Sequence, residues 1–315
     1  MKIVITDAAT VVSEGVSLDS VYEIGEVVSY DFTSPDETAE RINDADIVLC
    51  NKVIIGKAEM ENAKSLKYIG LLATGYNNID IAAAKERGIT VCNAGSYSTD
   101  AVAQLIFAFI LEKYCRLRDY SDFAAVGGWR NCKTFSPILF DTFELAGKTL
   151  GIVGFGSIGK RVAQIARAFN MEVLCFTRTE KETDLVRFVG FDELLEKSDI
   201  ISVNCPLTDN TRGMFDEAAF SKCKKGAYFI NTSRGPVVDE LALANAVKNG
   251  KLSGAALDVL EKEPMEADCP LIGVRNITIT PHTAWTPVET RRRLIGIVCD
   301  NIKSFLNGEP KNRVI

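Results

Sequence analysis

The chain has 315 residues, 47% of them hydrophobic, and carries a formal net charge of −6 with a sequence pI near 5.2. That length supports two domains with cores of their own. The acidic balance argues against nucleic acid or a membrane surface as the partner, because both call for concentrated Lys and Arg. One histidine and nine cysteines without a C-x-x-C spacing give a conventional zinc site nothing to work with, so no catalytic metal is expected. The cysteines read as reduced, mostly buried small residues.

Met1-Lys-Ile-Val-Ile-Thr enters a strand at once and lacks a signal-peptide pattern. The apolar run Leu105 to Leu111 is too short to span a bilayer, and a cytoplasmic location is the expectation. Ile3–Ile5, Asp46–Cys50, Leu66–Leu72 and Ile89–Cys92 read as buried parallel strands, separated by helical patterns such as Ile81 to Arg87. A long helix is predicted from Ala101 to about Arg118. From about Tyr120 to Leu145 no clean period holds, and an irregular segment of that length usually serves function or an interface.

Alternation resumes at Lys148. An apolar run leads into Gly154-Phe-Gly-Ser-Ile-Gly159, and Ile158, Val162, Ile165, Ala166 and Phe169 then follow the spacing of one buried helix face. Asn170 is the expected stop before the strand Met171–Phe176. Strand, glycine turn, helix and strand fill the roughly 30 residues of one βαβ unit. Gly154 permits a sharp turn, Gly156 permits close approach of a pyrophosphate, and Gly159 permits tight helix–strand packing. The helix N-terminus then faces the phosphates.

The following strand ends in Thr177-Arg178-Thr179, where the simplest NAD site places Asp or Glu. A hydroxyl beside a guanidinium suits a 2′-phosphate, which favours NADP over NAD. On the plainer alternative Arg178 is a solvated cation and Glu180 or Glu182 supplies the acid. Further strands are predicted at Asp199–Val203, Ala227–Asn231, Gly254–Asp258 and Ile277–Thr280, and a last helix from about Val288 to Leu306, stopped by Asn307-Gly308. The basic cluster Arg291-Arg292-Arg293 reads as a solvated or interface face of that helix.

Ligands of doubly wound sheets bind beyond the carboxyl ends of the strands. Arg234, Glu263 and His282 each follow such an end. Reduction of a 2-keto acid needs a cation for the carboxylate, a proton donor for the developing alkoxide, and a group to orient that donor. Arg234, His282 and Glu263 fit those three tasks in that order. Taken singly, each is also explained as an ordinary polar residue of a strand-end loop.

With these residues the chain resembles the D-2-hydroxyacid dehydrogenase family, through Gly154–Gly159, Asn204-Cys-Pro-Leu-Thr208, Asn231-Thr-Ser-Arg-Gly-Pro-Val-Val-Asp239, Ala256–Val259 with Lys262-Glu-Pro264, and Pro281-His-Thr-Ala-Trp285. Asn51-Lys-Val53, Thr74–Asp80 and Tyr97–Gln104 look most like its glycerate dehydrogenase, or hydroxypyruvate reductase, branch. The resemblance implies an α/β protein of two doubly wound domains. These are a flavodoxin-like substrate domain, 1–100 plus 287–315, and a Rossmann dinucleotide-binding domain, 101–286, with the active site in the interdomain cleft. It implies an NAD(P)-dependent oxidoreductase acting on hydroxypyruvate or glyoxylate, or on another 2-keto acid such as that of a D-lactate dehydrogenase.

The resemblance also gives Arg234, Glu263 and His282 the roles above and places the substrate carboxylate on the backbone around Thr74 and Gly75. Cofactor contacts are implied at Ser157, Ile158, Cys205, Pro206, Thr211, Thr232 and Asp258, a homodimer through the segment around Trp129, and packing of the last helix on the first domain. Thr177, where many members carry an acid, and Thr283, where an aliphatic residue is commoner, depart from the pattern. A non-catalytic, NAD(P)-sensing corepressor-like protein is the competing reading. A hydrolase of the adenosylhomocysteinase type lacks support, since its extra length and lysine-centred site are missing.

Overall fold

Twelve strands, all in parallel pairings, form two separate sheets in a computed structural model that describes residues 1–315. The chain divides into two compact units, Met1–Ser98 with Trp285–Ile315, and Thr99–Ala284. No helix is long and apolar enough to cross a membrane.

In the first unit β1 (Lys2–Ile5), β2 (Glu26–Ser29), β3 (Ile47–Cys50), β4 (Tyr68–Leu71) and β5 (Thr90–Cys92) stand in the order β2-β1-β3-β4-β5, the flavodoxin-like arrangement. β3 and β4 are buried throughout, as expected of central strands covered on both faces. Edge strand β2 is exposed or half-buried at every position, and so lacks the apolar run by which the other strands announce themselves.

The helix Val288–Leu306 belongs to this unit, where Leu294, Ile295, Val298, Cys299 and Ile302 join the core with Ile3, Ile5 and Leu49. Its arginine cluster is solvent-facing as expected from sequence, Arg292 and Arg293 being exposed and Arg291 half-buried, and it also reaches loop carbonyls. Arg291 donates to the carbonyls of Thr286 and Val11, Arg292 to that of Gly15 and Arg293 to that of Tyr97. Loop carbonyls left without partners at the sheet end are strong acceptors, and three neighbouring guanidiniums satisfy them.

The second unit holds β6 (Thr149–Val153), β7 (Glu172–Phe176), β8 (Arg187–Phe188), β9 (Ile200–Val203), β10 (Ala227–Asn231), β11 (Leu252–Leu257) and β12 (Ile277–Ile279), in the order β12-β11-β10-β9-β6-β7-β8. Read from the other edge, this is the Rossmann order extended by one strand, with its switch point between β6 and β9. The two-residue β8 carries no sequence signal.

The long predicted helix ends early. Thr99–Cys115 is one helix, Arg116 takes a left-handed conformation with φ 52°, and a second helix, Leu117–Ala125, occupies the start of the segment read as irregular. Arg116 is tied to Asp119 by an ion pair at 2.5 Å, which helps hold the break. Asn170, with φ 56°, stops the helix Ser157–Ala168 as anticipated. Phe169 lies beyond that helix and is 37% exposed rather than buried, stacked on Phe107.

Candidate active site

The glycine turn stands at the switch point of the second unit. Gly154 has φ 99°, and a Cβ there would lie 2.8 Å from the backbone of Asn204 and Cys205, at the end of neighbouring β9. At Gly159 a Cβ would fall 2.1 Å from the Gly154 carbonyl oxygen. Gly156 caps the helix Ser157–Ala168 without a side-chain hydrogen bond and faces open space. A helix N-terminus of three turns, unobstructed by side chains, suits a pyrophosphate.

Two buried polar atoms near this turn lack partners within the chain, Thr232 Oγ1 and Asn204 Oδ1. Asn204 Nδ2 donates to the Ser202 carbonyl, which fixes the amide orientation and leaves Oδ1 as the orphan. Buried orphans of this kind await a ligand. With the open helix end, they make the residues present a fit for a dinucleotide.

The other expected cofactor residues fall into two groups. Cys205 is buried, with its thiol pushed up to about 11 by that burial, and Pro206 is exposed beside it. After β7, Thr177 is half-buried and Arg178 exposed. Burial, with the Glu180 carboxylate, pushes the Cys175 thiol up to about 12.

Thr211 Oγ1 donates to the Pro206 carbonyl at 2.7 Å, and accepts from the Thr208 N–H. Asp258, 1% exposed, spends both carboxylate oxygens inside the chain. Oδ1 accepts from Thr280 Oγ1 at 2.5 Å and the Thr283 N–H at 2.8 Å, and Oδ2 accepts from the Ala284 N–H at 2.9 Å. It therefore ties the Thr280 side chain before His282 to the backbone N–H groups after it, a task sequence reasoning did not assign to it.

His282 and Glu263 meet directly. His282 Nδ1 lies 2.7 Å from Glu263 Oε2, with the side chains 28% and 37% exposed. Glu263 Oε1 accepts from the Leu260 N–H at 3.0 Å, so the carboxylate is anchored through one oxygen and orients the ring with the other. His282 holds φ 53°, a left-handed conformation uncommon outside glycine and sustained by the Asp258 clamp. Nε2 makes no hydrogen bond within the chain, which leaves it for an external partner.

Arg234 follows β10 in a turn folded by Asn231. Asn231 Oδ1 accepts from the Ser233 N–H and hydroxyl, and its Nδ2 donates to the Arg234 carbonyl. An Asn at a strand end ahead of Ser and Gly is a turn signal that the sequence reading passed over. Glu240, buried, accepts from the Glu261 N–H at 2.7 Å and was likewise missed.

In the first unit Thr74 and Gly75 follow β4. The Thr74 hydroxyl donates to the Gly95 carbonyl and its own carbonyl accepts from Asn93 Nδ2, while the N–H groups of Thr74 and Gly75 donate to no atom of the chain. Free successive amides form an anion-binding concavity.

Residues 107–284 match the family model of the D-isomer specific 2-hydroxyacid dehydrogenase NAD-binding domain. The chain belongs to this family. It is 37% identical to a hydroxypyruvate reductase of Blautia hydrogenotrophica, covering 100% of this chain and 99% of that one. It is 40% identical to a glyoxylate reductase of Thermococcus litoralis, over 82% and 80% of the two chains. An acyclic imino acid reductase solved with NADPH and D-Arg superposes over 100% of both chains with a TM-score of 0.89 and 32% identity. As a member of the D-2-hydroxyacid dehydrogenases, the protein is a nicotinamide-dependent oxidoreductase built of two parallel-sheet α/β units.

Proposed function

We propose that this dehydrogenase reduces small 2-keto acids to D-2-hydroxy acids, with hydroxypyruvate its preferred substrate, glyoxylate a second, and NADPH the favoured reductant. The 2.7 Å contact between His282 Nδ1 and Glu263 Oε2 carries the reading, because it holds the only imidazole of the chain with Nε2 outward. The names of the Blautia and Thermococcus relatives support the two substrates. Thr177 and Arg178, and the NADPH bound by the imino acid reductase, support the cofactor.

When bound, the nicotinamide supplies the hydride. The N–H groups of Thr74 and Gly75 hold the substrate carboxylate, and the Arg234 guanidinium adds a charged fork for the carboxylate and carbonyl oxygens. His282 Nε2 gives its proton to the oxygen as negative charge develops there, and Glu263 stabilises the imidazolium beforehand and fixes its tilt. Gly154, Gly156, Ser157, Ile158, Gly159, Cys205, Pro206 and Thr232 hold the dinucleotide. The roles of Thr211 and Asp258 are indirect, through the loops they brace.

A groove of about 720 Å³ in the second unit is lined by Tyr120, Phe123, Trp129, Phe135, Phe140 and Phe143 among others. Phe135 is 88% exposed and Ile138 89%, and apolar side chains gathered at a groove suit a protein contact. A second copy of the chain is the occupant that the family resemblance implies, and light scattering reads the homodimer directly.

The deciding experiment follows absorbance at about 340 nm with hydroxypyruvate, glyoxylate and pyruvate, each with NADH and NADPH. Fastest oxidation with hydroxypyruvate and NADPH is expected. No oxidation with any pair, in protein that binds nucleotide, would overturn the reading in favour of a sensor.

A further inference from the structure

Asn301 is the residue that packing leaves over on the helix Val288–Leu306. It lies on the core face, in helical register with Leu294 and Val298, and is 2% exposed. A buried amide among apolar neighbours costs free energy unless its donor and its acceptor are both bonded. Both are. Asn301 Nδ2 donates to the Asn93 carbonyl at 2.9 Å, and its Oδ1 accepts from Asn312 Nδ2 at 2.9 Å.

Asn312 reaches Asn301 from the segment that follows the helix. That segment pairs antiparallel with edge strand β5 through Cys92 and Arg313, and the Val314 N–H donates to the Val91 carbonyl at 2.7 Å. Asn312 is exposed and holds φ 50°, a left-handed conformation that Asn tolerates better than most residues. Its carbonyl accepts from the Asn93 N–H at 3.1 Å. The backbone of Asn93 is thus fixed on both sides, its N–H by Asn312 and its carbonyl by Asn301. This aims the Asn93 side chain. Oδ1 accepts from the Gly95 N–H at 3.1 Å, and Nδ2 donates to the Thr74 carbonyl at 2.7 Å. The Ala94 N–H donates to the Ala73 carbonyl at 2.9 Å, and the Thr74 hydroxyl donates to the Gly95 carbonyl. The turn after β4 is therefore held at Ala73 and Thr74 by Asn93–Gly95.

We propose that Asn312 and Asn301 are positioning residues for substrate binding, acting through Asn93 to set the direction of the Gly75 N–H. The proposal rests on the reading that the amides of Thr74 and Gly75 hold the substrate carboxylate. The Thr74 carbonyl and the Gly75 N–H belong to one peptide plane and point opposite ways. The bond from Asn93 Nδ2 to that carbonyl therefore fixes the tilt of the plane and the aim of the N–H on its far side. It also polarises the amide and strengthens the N–H as a donor. A rotation of the plane turns that donor away from the anion.

The test reads kcat and KM for hydroxypyruvate and glyoxylate, and KM for the reduced cofactor. The turn grips the carboxylate before and during the reaction, so losing its aim should raise KM for the keto acids and leave kcat within about twofold. Asn93→Asp keeps the acceptor for the Gly95 N–H but loses the donor to the Thr74 carbonyl, and KM should rise about fivefold or more, the range of one hydrogen bond. Asn312→Asp sets a carboxylate against Asn301 Oδ1, so the buried amide must turn over and give up the Asn93 carbonyl, and KM should rise about threefold. Asn312→Gly keeps the left-handed backbone and leaves Asn301 in place, with a change under about twofold. The double variant Asn93→Asp with Asn312→Asp should be no worse than Asn93→Asp alone, because groups acting in series are not additive. Additive losses, a cofactor KM that rises in step, or loss of folded protein in Asn312→Asp would assign the network to the fold and overturn the proposal, as would an unchanged KM in that variant. Gly75→Pro removes the N–H outright and tests the parent reading separately. An unchanged KM there takes the carboxylate away from the turn, whereas a raised KM there with Asn312→Asp unchanged removes the positioning role alone.

Discussion

Gly235 and Leu260 approach so closely that a Cβ on the glycine would lie 1.9 Å from the carbonyl carbon and oxygen of Leu260. The turn carrying Arg234 is thereby pressed against the loop that carries Glu263. Gly235→Ala must push these two loops apart. Because displacement of a catalytic group by about 1 Å costs on the order of a hundredfold, keto-acid reduction should fall by about that factor while nucleotide binding, followed by quenching of protein fluorescence, is retained. Near wild-type turnover in this variant would show that the contact is not needed to set the site.

His282→Asn should lose roughly a thousandfold in turnover, within the range of general acid catalysis, with little change in nucleotide affinity. Glu263→Gln should fall between that variant and wild type, because the amide oxygen still accepts from Nδ1 but carries no charge to stabilise the imidazolium. Steady-state kinetics with both variants check the ordering. A Glu263→Gln enzyme as poor as His282→Asn would mean that orientation without charge achieves nothing here.

Thr177→Asp places a carboxylate where a ribose 2′-phosphate would otherwise sit. The ratio of kcat/KM for NADPH to that for NADH should drop by about tenfold or more, through repulsion of the phosphate and a new acceptor for the free hydroxyl. An unchanged ratio would give the ribose to Glu180 or Glu182.

Asp199 offers a stability test with a defined sign. Burial alone would raise its carboxyl, but the Lys224 ammonium at 2.8 Å and the Thr149 N–H at 2.9 Å outweigh that and hold it below the usual range. A carboxyl depressed in the folded state stabilises above its unfolded value, and the gain is lost as pH falls through the folded value. Asp199→Asn should therefore cost roughly 1 kcal/mol near neutrality, the partner lysine being half in solvent. Calorimetric scans should show the gap in Tm closing below about pH 4. A gap of constant size down to pH 3 would attribute the effect to packing.

The sequence made the central strands readable because β3, β4, β6, β9 and β10 are almost wholly buried and mostly apolar. Edge strand β2 alternates weakly, and β8 is two residues long, so neither leaves a pattern. The break at Arg116 was hidden because a left-handed arginine has no compositional marker of the kind glycine provides. Arg234, Glu263 and His282 stand out as candidates by their position after strand ends. What could not be read was which polar residues brace them. Asn231, Glu240 and Asp258 act on backbone N–H and C=O groups distant in the chain, and pairings of that range leave no local trace.

The first unit is discontinuous, its core shared between residues before Ser98 and the helix after Trp285. During synthesis its five strands leave the ribosome without Leu294, Ile295, Val298 and Ile302, and without the three guanidiniums that close its loops. The intervening unit, continuous from Thr99 to Ala284, has all its residues first. Biogenesis should then run inside out, with the nucleotide-binding unit folding while the earlier-made strands wait for the last helix. In that interval exposed strand edges and an open apolar face make the nascent chain a client for chaperones, and truncation within Val288–Leu306 should be felt at the opposite end of the sequence.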